Sequence, residues 1–166
     1  MEAVIRPIAQ GSYEVARTDA VSCTYDMDGS TLMSAVLSQL GLDREHFRRR
    51  AHMHEGEKFR VISHGDERPF VITINKAKSW ASVPSATEQI LIAAEAERCD
   101  SLCMTHFAFI LGEFPAEAFA QCLRQIELAR DQTQLKRVVV DMDDRYIKVA
   151  ENVHQQVRAE IAETAR

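Results

Sequence analysis

Residues 102 to 110 read LCMTHFAFI, a nearly unbroken apolar run. A strand with one face in water alternates apolar and polar residues. A run that does not alternate fits a strand covered on both faces, as in the parallel sheets of α/β proteins. The rest of the chain must then supply a layer on each side of it.

The flanking segments can do so. Residues 2 to 8, EAVIRPI, read as a first strand, with Pro7 best tolerated at a sheet edge. DAVSCTY at 19 to 25 is a second. From Thr31 to Leu40 the apolar residues Leu32, Ala35, Val36 and Leu40 have helical spacing, and Gly41 stands where a helix C-terminus favours glycine. EKFRVIS at 57 to 63 and PFVITIN at 69 to 75 flank HGDER, whose Gly-Asp is a turn signal, so a hairpin is expected. Ser85-Ala86-Thr87-Glu88 has the pattern of a capping box and opens a predicted helix through Ile90, Leu91, Ala93 and Ala94. Pro115 suits a first helical position and Glu117 a first turn; Phe119, Cys122, Leu123 and Ile126 then share one helical face. KRVVVDM is a further strand, and residues 144 to 164 read as a last helix. Strands alternating with helices predict an α/β fold: a three-layer α/β/α sandwich with a mixed central sheet, one domain over residues 1–166.

Charge and composition narrow the function classes. The net charge of −5 lacks the basic face of a dedicated nucleic-acid binder. Arg48-Arg49-Arg50 is short and flanked by Glu45, Glu55 and Glu57, as a solvated turn would be. No apolar stretch approaches the ~20 residues of a membrane span. The opening MEAVIRPIAQ does not read as a signal peptide, so a cytoplasmic protein is expected. Cys23, Cys99, Cys103 and Cys122 fit no zinc framework and are expected as free, largely buried thiols. His52 and His54, beside Glu55 and Glu57, read as solvated loop residues; His106 reads as a hydrogen-bonded core residue. No metal and no cofactor are expected.

Two aspartates raise the question of chemistry. VSCTYDMDGSTL at 21 to 32 ends an apolar run in Asp26, with Asp28 and Gly29 at once behind it. D-M-D-G-S, Thr105, Lys136 and Asp143-Asp144 resemble the motifs of haloacid-dehalogenase-type phosphatases. That resemblance implies Asp26 as nucleophile, Asp28 as acid/base and a late aspartate on magnesium. Over nearly the whole chain, however, the order of segments resembles the macrodomains. GSYE at 11 to 14, DAVSCTYD at 19 to 26 and DGS at 28 to 30 follow that family's first turn, second strand and glycine-rich loop. HEGEKFRVIS, FVITIN, SLCMTHFAFILGEFP and VVVDMDDRYIKV follow its later segments.

The macrodomain resemblance implies a module that binds ADP-ribose or a related nucleotide-diphosphate ligand, with or without weak hydrolase activity. Its ligand would lie between two loops, one carrying Cys23, Asp26, Gly29 and Ser30, the other Leu111, Gly112, Glu113 and Phe114. Asp26 and Asp28 are the candidate catalytic pair, and Trp80 or Phe114 could stack on a base. Backbone amides in such loops can surround an anion, and Gly29 and Gly112 suit that need. The chain also departs from the family. Ser12 replaces the aspartate that meets adenine, Cys23 and Asp26 replace asparagines, and Asp28-Gly29-Ser30 stands for a triple glycine. A carboxylate ~6 Å from a phosphate, at an effective dielectric of about 20, costs a few kcal/mol. Two further readings are a macrodomain-like scaffold for protein association and the magnesium-dependent phosphatase.

Overall fold

The computed structural model describes residues 1–7, 18–25, 38, 41, 59–64, 67–75, 83–104, 116–142 and 144–165; for residues 7, 23–25, 59–64, 67–75 and 83–85 it describes the backbone alone. The strands are β1 (Glu2–Pro7), β2 (Ala20–Tyr25), β3 (Phe59–His64), β4 (Glu67–Asn75), β5 (Ser101–Met104) and β6 (Arg137–Met142). They form one sheet in the order β1-β6-β5-β2-β4-β3. Every pairing is parallel except that of β3 with β4. The sheet is therefore mixed, as expected. The predicted hairpin is present, with only Gly65-Asp66 between paired His64 and Glu67. Among the described residues β1 pairs with β6 alone, which places Pro7 on an edge strand.

Three long helices are described: α1 (Val83–Ala96), α2 (Ala116–Ala129) and α3 (Ile147–Thr164). A 3-10 turn, Asp144–Tyr146, leads into α3. No helix among the described residues is long and apolar enough to cross a membrane. Gly41 has φ +67, the left-handed region that favours glycine, and its N–H donates to the Ser38 carbonyl; apart from Ser38 the predicted helix from Thr31 to Leu40 lies outside the described residues.

The capping-box expectation is corrected. α1 begins at Val83, so Ser85 lies inside its first turn and is not the cap. Pro84 explains the earlier start: proline suits a first turn, where its missing N–H costs nothing. α1 ends in a Schellman motif without glycine. Cys99 N–H donates to the Ala94 carbonyl and Arg98 N–H to that of Glu95, with Arg98 at φ 56.

The core lies between these helices and one face of the sheet. Ala20, Leu102, Met104, Val138, Val140 and Met142 alternate along their strands and meet Ile90, Ala94, Phe119, Leu123, Ile126, Ala150 and Val157. Phe119, Leu123, Ile126, Val138 and Val140 are buried as the sequence predicted; Phe107 and Phe109 lie outside the described residues. The opposite face is closed too, since Val21, Cys103, Val139 and Asp141 are fully buried. The fold is a three-layer α/β/α sandwich. Cys99, Cys103 and Cys122 are buried as thiols rather than disulfides, and burial pushes the Cys122 thiol up to about 12.

Polar contacts at the starts of the parallel strands hold them level. The Asp19 carboxylate accepts hydrogen bonds from the N–H groups of Asp100 (2.8 Å) and Ser101 (3.2 Å) and from the Ser101 hydroxyl (3.3 Å). The Ser101 hydroxyl accepts in turn from Asp19 N–H at 2.9 Å. The Asp100 carbonyl then accepts from Lys136 and Arg137 N–H, and the Lys136 carbonyl from Glu2 N–H. β2, β5, β6 and β1 are thus joined in sequence. Asp19→Ala removes the acceptor that bridges β2 to β5 and is expected to cost about 2 kcal/mol. Urea unfolding should show a lower midpoint at an unchanged slope; a midpoint equal to that of the wild type would contradict this role.

Candidate functional site

The topology marks one place where the sheet can hold a ligand. From β5 the chain passes through α2 to β6, on one side. From β2 it passes to β3 and β4, on the other. β2 and β5 are neighbours and parallel, with Ala20 beside Leu102 and Ser22 beside Met104. Connections that diverge from adjacent strands leave a crevice outside their C-terminal ends, the place where open α/β sheets bind ligands.

The segments that carry both predicted loops follow these two strands in the sequence. Asp26 follows Tyr25, the last residue of β2, and Thr105 follows Met104, the last of β5. Of the predicted ligand residues, Cys23 lies in β2, level with Thr73 of β4. Asp26, Asp28, Gly29, Ser30, Leu111, Gly112, Glu113 and Phe114 lie outside the described residues, as do Ser12, His52, His54, Trp80 and His106.

One polar cluster near this edge escaped the sequence reading. Asp141, the penultimate residue of β6, is completely buried. Its Oδ1 lies 3.7 Å from Arg6 Nε, and its Oδ2 accepts a hydrogen bond from Cys103 Sγ at 3.3 Å. The register explains the first contact, because Arg6 stands directly beside Asp141 in parallel strands. Cys103 stands beside Val139, so its side chain shares the Asp141 face one step along. The signal was available: a carboxylate inside VVVDM needs a buried partner, since an isolated buried charge is very costly. The cluster pins the ends of β1, β5 and β6, and with them one wall of the crevice.

Nothing among the described residues favours the phosphatase arrangement. Lys136 precedes β6, beside the start of β5 and hence of β2, whereas Asp26 follows the far end of β2. A strand of this length spans ~17–20 Å, beyond the reach of any lysine. Lys136 is exposed and bonded instead to Asp100 at 2.7 Å, a contact that raises its pKa. Among the described residues, no group of three or more His, Cys, Asp or Glu side chains could hold a metal ion.

The two ion pairs should differ sharply in worth. Arg6→Ala removes the cation beside a buried carboxylate and is expected to cost on the order of 2–3 kcal/mol, because Arg6 itself keeps some water. Lys136→Ala touches only an exposed pair and should leave stability unchanged. Chemical denaturation of both variants checks this; equal effects would show that Asp141 does not depend on Arg6.

A scan against family models finds no match to this sequence, and no curated protein matches it. Solved structures do. The macro domain of ganglioside induced differentiation associated protein 2 is similar at a TM-score of 0.69 and 14% identity, over 94% of this chain and 82% of that one. A mutant of the Oceanobacillus iheyensis macrodomain is similar at 0.64 and 13%, over 96% and 92%. Another mutant of that macrodomain, with ADPR, is similar at 0.51 and 14%, over 88% and 87%. The chain has the macrodomain fold.

Proposed function

We propose that this macrodomain-fold chain binds ADP-ribose, or a related nucleotide diphosphate, in the crevice beyond the ends of β2 and β5. The observation that supports this most is the divergence of the chain at those two adjacent strands. The segments that follow these strands carry the loops Asp26 to Ser30 and Leu111 to Phe114, each with a glycine, Gly29 and Gly112, and in this reading their backbone amides approach a diphosphate. A similar solved structure holding ADPR supports the ligand class.

In this reading Cys23, Asp26, Gly29 and Ser30 form one lip of the cleft, and Leu111, Gly112, Glu113 and Phe114 the other. The amides near Gly29 and Gly112 take the diphosphate, and the Phe114 ring closes over the ligand. Asp26 lies toward the distal ribose, where it or Asp28 could act as a base on a water molecule. The same carboxylates repel the diphosphate, so this chain binds such ligands less tightly than one with an asparagine at Asp26 would. Catalysis by the pair and affinity for the diphosphate therefore pull in opposite directions.

Calorimetric titration of ADP-ribose tests the proposal. Wild type should bind, Asp26→Asn should bind about tenfold more tightly through the charge it removes, and Gly112→Val should bind at least about tenfold more weakly. No binding by either wild type or Asp26→Asn would overturn the reading. A magnesium-dependent phosphatase assay run alongside should show no activity that Asp26→Asn abolishes.

A further inference from the structure

A second surface lies at the opposite end of the molecule. α1 leads into β5 and α2 into β6, so both helices run toward the edge where the parallel strands begin. Between them is a groove of about 280 Å³. Ile92 of α1 and Leu128 of α2 line it, at 50% and 51% exposure. Among the described residues only three large hydrophobic side chains are this exposed, and two of them meet here.

The walls of the groove differ in charge. Glu88 and Glu95 line the α1 side; the α2 side carries neutral Gln125 and Gln132. Glu88 and Glu95 are two helical turns apart, ~10.5 Å along α1. Among the described residues neither has an ion-pair partner. Glu95 accepts a hydrogen bond from Gln134 N–H, which fixes it at the rim. The nearby cations Arg130 and Lys136 are held by Glu127 and Asp100. Neither α1 nor α2 has a basic residue in its last turn; Arg98 and Arg130 come just beyond the two helices. A neighbouring groove between α2 and α3 shares Leu128 but has its charges closed upon each other, Arg124 with Glu160.

We propose that the α1–α2 groove docks a basic amphipathic helix of a partner protein. The apolar residues of that helix would seat on Ile92 and Leu128, as a third helix packs between the ridges of two. Its lysines or arginines, seven residues apart, would meet Glu88 and Glu95. Charge complementarity sets the choice of occupant, because an acidic or neutral helix would leave both carboxylates unpartnered as it covered them. The groove shares no residue with the two predicted loops, so ligand and partner could be bound together.

The probe is a synthetic helical peptide with leucines at i, i+3 and i+7 and lysines along one flank, compared with the same peptide carrying glutamates. Fluorescence anisotropy should show the lysine peptide binding about tenfold or more tightly than the glutamate peptide. Leu128→Asp should weaken it about tenfold, and the double variant Glu88→Lys, Glu95→Lys should reverse the preference. Thermal melts of the variants, expected to match wild type, confirm that they fold. No binding, equal binding of both peptides, or indifference to Leu128→Asp would overturn the proposal. So would a dimer in sedimentation that Leu128→Asp dissolves, which would assign the groove to a second copy of this chain.

Discussion

The Asp19 carboxylate is the contact on which the rest of the arrangement depends. Parallel strands carry no tight turn to fix their relative positions; each register must be set by packing or by a specific polar contact. Asp19 reaches from the start of β2 to the first amides of β5, and Asp100 and Lys136 carry the same level across to β6 and β1. With the beginnings level, Ser22 comes to lie beside Met104, and the chain leaves these two strands for opposite sides of the sheet. A shift of one residue would turn Leu102 and Met104 out of the core and Cys103 into it.

Buried charges fasten the parts that sequence separates. Arg6 and Asp141 hold the edge strand β1 to β6 near the crevice. At the other end, Glu127 of α2 is buried and accepts contacts from Arg130 and from His154 of α3, whose Nε2 lies 2.5 Å from Glu127 Oε1. Arg130 also donates to the Met1 carbonyl, so the same cluster ties down the start of the chain. Each buried ion needs its partner to offset lost hydration, and a shifted α3 or β1 would leave one alone. Such pairs add less to net stability than to the uniqueness of the packing.

The architecture was legible in the sequence because burial on both faces leaves so strong a mark. The run beginning LCM and the triplet VVV became interior strands, Pro7 fell on an edge, and the Gly-Asp turn joined β3 to β4. The apolar face of α2 was read residue by residue. Local rules failed where two of them competed. Ser85 and Glu88 match a capping box, but Pro84 lets the helix begin earlier, at Val83. The partners in long-range polar contacts were not legible. Nothing near Asp19 or Asp141 in the chain names Ser101 or Arg6 as its partner, since those contacts exist only once the strand order is known. Lys136, which only resembles part of a phosphatase motif in the sequence, stands just before β6 and pairs with Asp100.

The molecule thus has two ends with different chemistry: a crevice where strands finish and loops diverge, and an acidic, partly apolar groove where helices finish. The account stands on the first being a ligand site. Amide hydrogen exchange with and without ADP-ribose tests this directly. Protection should rise at residues 26–30 and 111–114, on the two sides of the crevice, and stay constant along α1 and α2 near Glu95 and Leu128. Protection confined to the helices, or none anywhere at ligand concentrations that saturate binding, would contradict it.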